Sequence, residues 1–130
     1  MRGVKAKEVE SVLRLDGPAR YSYFIKRVVD REVAWGLWSG GWALMVDGAG
    51  NSLFPVWPGR EYAELCAVGG WSEYLAEEIS LDALLSELLP KLEARAVRVG
   101  VFPTPKGTGV SIDVAALVEA LRQEMKQYHE

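Results

Sequence analysis

The stretch VAWGLWSGGWALMVDGAGNSLFPVW, residues 33–57, decides how this 130-residue chain folds. Val33, Trp35 and Leu37 alternate with Ala34, Gly36 and Trp38, and Trp42, Leu44 and Val46 alternate with Ala43 and Met45. A repeat of two residues belongs to a strand, because successive side chains of an extended chain point to opposite faces. Ser39-Gly40-Gly41 separates the two runs and supplies the positive φ of a tight hairpin. Asp47-Gly48-Ala49-Gly50-Asn51 reads as a second turn leading into Ser52 to Trp57. The expectation is a three-stranded meander whose third strand lies at an edge, since Pro55 has no N–H to give a neighbour. Trp35 and Trp38 are three residues apart, so they face opposite sides of the sheet and each face carries an indole.

Helical periods flank this core. Ala6 to Leu13 fits a short helix, or an N-terminal arm over residues 1–15, with Val9, Val12 and Leu13 on one side. Asp16-Gly17-Pro18 is a start signal: the carboxylate accepts from unpaired backbone donors and proline suits the first turn. Behind it Tyr21, Phe24, Ile25, Val28 and Val29 form an apolar stripe, which leaves Tyr23 off the stripe. Pro58 and Gly59 open a helix through Tyr62, Leu65 and Cys66 that stops at Gly69-Gly70, and Trp71 to Ile79 reads as a loop with a short strand. Ser80 caps a helix carrying Leu81, Leu84, Leu85, Leu88 and Leu92, which Pro90 kinks or ends. Val97, Val99 and Val101 make a fourth strand, and from about Ser111 a last helix turns Val114, Leu117, Val118, Leu121 and Met125 inward. The expected fold is α+β: one domain over residues 1–130, a small antiparallel sheet of a three-stranded meander plus a later strand, packed with about four helices.

Composition removes several functions. The hydrophobic share of 49% and charged share of 25% are those of a globular domain, and a chain of this length builds one core without a metal or disulfide staple. Cys66 is the one cysteine and His129, near the C-terminus, the one histidine, so neither a Cys/His zinc site nor a Ser-His or Cys-His nucleophile pair is available. No catalytic residue, cofactor or metal is assigned. No apolar run reaches the roughly 18 residues of a membrane span, and Met1 to Lys5 leads into charged residues, not a signal-peptide core. With unpaired cysteine, that places the expected site of action in the cytoplasm.

Charge is unevenly spread. Residues 1–31 carry eight bases and four acids, residues 32–90 carry Arg60 against nine acids, and residues 91–130 carry six bases and five acids, for a net −3. An acidic middle repels phosphate and makes a nucleic-acid partner unfavourable, while an acidic face suits a basic protein. Glu73, Glu77, Glu78 and Asp82 read as a solvated acidic face, Arg60 as an internal ion-pair partner, and Cys66 as a small buried hydrophobe.

The five tryptophans, Trp35, Trp38, Trp42, Trp57 and Trp71, crowd the meander and its flank. Indoles bury large areas and seek a partner for N–H, so most belong to a core and the remainder to a ligand or partner surface. Two uses of that surface are expected. The first is a non-catalytic interaction module that meets a basic protein through its acidic, tryptophan-rich middle, an immunity-type protein being one version, with self-association through the strand ending at Trp57 as a further option. The alternative is a binder of an anionic small molecule, or an enzyme, with a cleft lined by Trp38, Trp57 and Trp71. In that version the loop Pro103-Thr104-Pro105-Lys106-Gly107-Thr108-Gly109, just before a helix, brings Lys106, Gly107 and Gly109 to the anion. The order of that loop is not that of a phosphate-binding P-loop.

Several clusters recur in one order: Arg20-Tyr21-Ser22-Tyr23-Phe24, Trp35-Gly36-Leu37, Gly41-Trp42-Ala43-Leu44, Pro55-Val56-Trp57-Pro58, Ala63-Glu64-Leu65-Cys66-Ala67 and Val101-Phe102-Pro103-Thr104-Pro105. From about Val9 onward the chain resembles the uncharacterised bacterial family catalogued as domain of unknown function 2750. The resemblance implies a small bacterial, cytoplasmic, single-domain protein and brings no catalytic residues with it.

Overall fold

The computed structural model describes residues 6–128; the expectations for Met1 to Lys5 and for His129 lie outside them. Helix α1 (Ala6–Leu13) is followed by α2 (Gly17–Arg31), where Asp16 caps the start by accepting from the Ala19 N–H at 2.9 Å. Phe24, Ile25, Val28 and Val29 of α2 are buried, as the stripe requires. Glu32 ends this helix in the left-handed conformation that glycine usually supplies, with φ 59°, and its carbonyl accepts from Leu81 N–H at 2.9 Å.

The architecture is α+β, but the strands pair differently from a meander. β1 (Val33–Trp38) pairs antiparallel with β4 (Leu75–Ser80), which is the short strand expected within Trp71 to Ile79 extended by one residue. A second sheet has the order β2 (Met45–Val46), β3 (Ser52–Val56), β5 (Arg98–Val101), β6 (Val110–Ile112), with β3 and β5 parallel. β3 is therefore central, not an edge. Val56 gives its carbonyl to Phe102 N–H at 2.8 Å, on the β5 side, whereas Trp57 exchanges two bonds with Trp35 at 2.8 and 2.9 Å on the other side. Pro55 looks to that other side at the gap between the end of β2, opposite Leu53, and the Trp35–Trp57 bridge. Its missing N–H falls where neither strand needs a donor, which is how a central strand tolerates it. The Trp35–Trp57 bridge also joins the two sheets.

The β2–β3 turn is held by Asp47, whose carboxylate accepts from Ala49 N–H, Asn51 N–H and the Asn51 side-chain amide. The Asn51 bonds lead in holding the Asp47 carboxyl below its ordinary pKa. After α3 (Arg60–Leu65) and a 3-10 turn at Gly69–Trp71, Ser80 caps α4 (Leu81–Ala83) through Ala83 N–H. Pro90 does not end this region. The helix widens into a π-turn over Leu84–Leu88, with Leu89 N–H reaching back to Leu84 O, and continues as α5 (Leu89–Ala94). The wider turn moves the Ser86 carbonyl away from the proline ring that would collide with it. The last helix, α6 (Val114–Tyr128), starts after β6, three residues later than the sequence suggests, and buries Val114, Leu117 and Leu121.

Two backbone positions tie the C-terminal loop to the core. Phe102 is wholly buried with φ 59°, a conformation that costs a bulky residue about 1–2 kcal/mol. It is held there by its bond to Val56 and by rings at 4.9 Å (Tyr62) and 6.2 Å (Tyr23). Gly109 has φ +80°, and a Cβ there would lie 2.4 Å from the Val101 carbonyl oxygen. Only glycine lets these two backbones approach so closely.

Candidate interaction surface

The β1–β4 ribbon presents two unlike faces, because Val33–Trp38 and Leu75–Ser80 pair residue by residue. Trp35 and its opposite, Glu78, share one face. There the Arg60 guanidinium sits 5.1 Å from the centre of the Trp35 ring, a cation–π contact. Among the described residues Arg60 makes no ion pair, so the contact expected with a carboxylate is made with an indole instead.

Ala34, Gly36 and Trp38 share the other face with Ile79, Glu77 and Leu75. Trp42 folds over this face at Gly36, where a Cβ would stand 3.0 Å from the indole, so glycine makes room for the ring. The Trp42 ring is edge-on to Phe54 at 5.7 Å and to Trp38 at 5.0 Å. Trp38 is thereby braced on one side while 41% of it remains exposed, and opposite it Leu75 is 73% exposed. Glu77 is exposed on this same face, Glu78 is exposed on the Trp35 face, and Glu73 is exposed just before the strand. On the outer edge of β4, no strand is paired among the described residues.

Trp57 belongs to the core and leaves the candidate surface. It is wholly enclosed, and its Nε1–H donates to the Pro103 carbonyl at 2.9 Å. Trp71 is half-buried and meets the Trp57 ring edge-on at 6.3 Å, whereas Trp38 has Trp42 as its ring partner. The three indoles expected to line one cleft are divided between core and ribbon. Cys66 is buried and its Sγ–H donates to the same Pro103 carbonyl at 3.5 Å. Burial pushes the thiol up to about 11, so the sulfur stays a neutral hydrophobe.

The 103–109 loop is closed on itself. Thr104 and Gly107 exchange backbone bonds at 3.0 and 3.1 Å, and Lys106 N–H donates to Thr104 Oγ1 at 3.3 Å. Lys106 and Gly107 are exposed, but three amides an anion would need are engaged, and the loop runs into β6 instead of a helix. The start of α6 is capped by the Asp113 carboxylate, which accepts from Ala116 N–H at 2.8 Å. A helix start already holding a negative group does not attract another.

A second polar constellation was not legible in the pattern. Tyr23 Oη donates to Glu8 Oε2 at 2.7 Å, Arg27 Nη1 lies 3.2 Å from the same oxygen, and Tyr62 Oη lies 3.2 Å from that of Tyr23. A phenol has one proton, so with Tyr23 donating to Glu8 the Tyr62 hydroxyl donates to Tyr23. Burial first, and then the bonds to Tyr62 and Glu8, raise the Tyr23 phenol far above its ordinary pKa. The available signal was the spacing of Tyr23 and Arg27, one helical turn apart; nothing local pointed to Glu8 or Tyr62.

Among the described residues no group of three or more His, Cys, Asp or Glu side chains is arranged to hold a metal ion, and no helix is long and apolar enough to cross a membrane. In comparisons with known proteins, residues 21–121 match a family described as protein of unknown function (DUF2750). No curated protein and no solved structure matches the chain.

Proposed function

The chain belongs to the DUF2750 family, and from that premise we propose that it is a non-catalytic interaction module of the bacterial cytoplasm that binds a basic protein along β4. The observation that carries the reading is the exposed Trp38–Leu75 pair, spanning β1 and β4, beside a β4 edge that pairs with no strand among the described residues and near which Glu73, Glu77 and Glu78 are exposed. An open edge offers a partner strand main-chain hydrogen bonds, and the apolar pair offers it an anchor. The carboxylates decide the sign of the partner. A second copy of β4 laid antiparallel about its middle would put Glu77 against the copy's Glu77, or Glu78 against its Glu78, like charges directly opposite, which a sheet disfavours. A strand rich in Lys or Arg meets the opposite situation, with faster encounter at low salt. A small acidic protein that covers a basic toxin would be one instance of this class.

The test is a photo-crosslinking residue in place of Leu75, activated in cells, with the exposed position Ala115 on α6 as control. The expected result is one dominant adduct with a strongly basic protein, lost in the double variant Glu77→Lys/Glu78→Lys. A pattern equal to that of the Ala115 control, or an adduct indifferent to charge reversal, overturns the proposal.

A further inference from the structure

We propose that Tyr23, Arg27 and Tyr62 form a carboxylate-binding site that α1 fills with its own Glu8, so that a ligand presenting a free carboxylate binds by displacing that side chain. The donors are set by the core. Tyr23 and Arg27 lie one turn apart on α2, and the guanidinium sits 5.7 Å from the centre of the Tyr23 ring, which orients both toward one point. Tyr62, buried on α3, backs the Tyr23 hydroxyl and is itself edge-on to Tyr23 at 6.1 Å. A phenol O–H next to a guanidinium offers donors and positive charge at one spot, and a carboxylate oxygen is the complementary group. In the closed form Glu8 Oε2 takes both, at 2.7 and 3.2 Å.

The acceptor is far less firmly held than the donors. Glu8 rides on α1, an eight-residue helix with Val12 as its buried side chain, and 38% of the Glu8 side chain is exposed. A helix this short is marginal without packing, and a half-exposed ion pair contributes little to holding it. The family match begins at residue 21, so the donors lie within it and the carboxylate that fills them lies outside. The field also suits an anion: α2 carries Arg20, Lys26, Arg27 and Arg31 against Asp30 alone. This surface is opposite in sign to β4, and the two sites would take chemically different ligands.

The test uses sodium propionate, which carries the group that Glu8→Ala removes, on wild type, Glu8→Ala and Glu8→Gln, followed by thermal midpoint and by the NMR shifts of labelled tyrosine rings. The expected result is a saturable rise in midpoint and a shift of the Tyr23 and Tyr62 resonances in both Glu8 variants. Their affinity should be at least tenfold above wild type, where the tethered Glu8 competes. Propionamide and sodium chloride at equal concentration should do neither, and adding Tyr23→Phe and Arg27→Met to the Glu8 variant should abolish the effect. N-acetylglutamate α-amide, whose free carboxylate is a side chain, separates the two sources. Binding tighter than propionate assigns a peptide side chain, and weaker binding assigns a small free acid. If propionate leaves midpoint and tyrosine shifts of both variants unmoved, Glu8 is a tether for α1 and the proposal fails; Glu8→Gln keeps this decision available should Glu8→Ala unfold.

Discussion

Substituting Gly109 by alanine separates a structural role for the 103–109 loop from a ligand-binding one. At Gly109 φ is +80°, and a Cβ would lie 2.4 Å from Val101 O and 2.9 Å from Phe102 C and Pro103 N, all backbone atoms that cannot swing away. Holding alanine in the left-handed region costs about 1–2 kcal/mol. Opening roughly 1 Å of separation against a packed strand adds about 1–3 kcal/mol of overpacking. The expected loss is therefore about 2–5 kcal/mol, which at this chain length lowers the melting midpoint by roughly 6–20 °C. Gly107→Ala is the control: nothing lies within 4 Å of its Cβ, so its stability should stay within about 0.5 kcal/mol of wild type. Both variants are measured by urea denaturation followed by circular dichroism, with the midpoint and slope compared. Gly109→Ala as stable as wild type, or Gly107→Ala losing more than about 1 kcal/mol, would refute the reasoning that backbone approach, and not an anion, explains the second glycine.

Four further outcomes follow from the same geometry. Trp57→Phe should cost about 1.5–4 kcal/mol in denaturant unfolding, since it removes ring volume from the core and the N–H that satisfies Pro103; no measurable loss would show that this bond is dispensable. Cys66 should resist iodoacetamide at pH 8 in the native protein and react fully in denaturant, and rapid native labelling would contradict its burial. Because its folded pKa of about 11 exceeds the reference of 9.0, the unfolded chain loses the proton first as pH rises. The stability this thiol contributes is complete below pH 9 and is lost on the way to pH 11, a decline that Cys66→Ala should flatten. Gly36→Val should expel Trp42 from its seat, changing tryptophan emission and lowering stability, while an unchanged spectrum would contradict the close contact over Gly36.

What the sequence determined by itself was local. The helix stripes, the Asp16 and Ser80 caps, the β2–β3 turn with Asp47 at its start, and the Val99–Val101 strand depend on residues within a few positions of one another, so periodicity and turn chemistry suffice to find them. Opposite facing of Trp35 and Trp38 follows from strand parity alone. The tertiary structure decided which strands meet. β1 pairs with β4 across some forty residues, and the adjacent Glu77 and Glu78 break the alternation that would have announced that strand. β3 became central through a parallel partner whose pairing no short window encodes, with Pro55 tolerated because a gap between two partial neighbours lay beside it. Trp57 went to the core because the Pro103 carbonyl, remote in sequence, was there to accept its N–H. Tyr23 looked like a residue beside the stripe until α1 and α3 brought Glu8 and Tyr62 to it. Faces and turns are properties of neighbours along the chain; register, edges and polar constellations arise only when distant segments pack, and both candidate surfaces here are of that second kind.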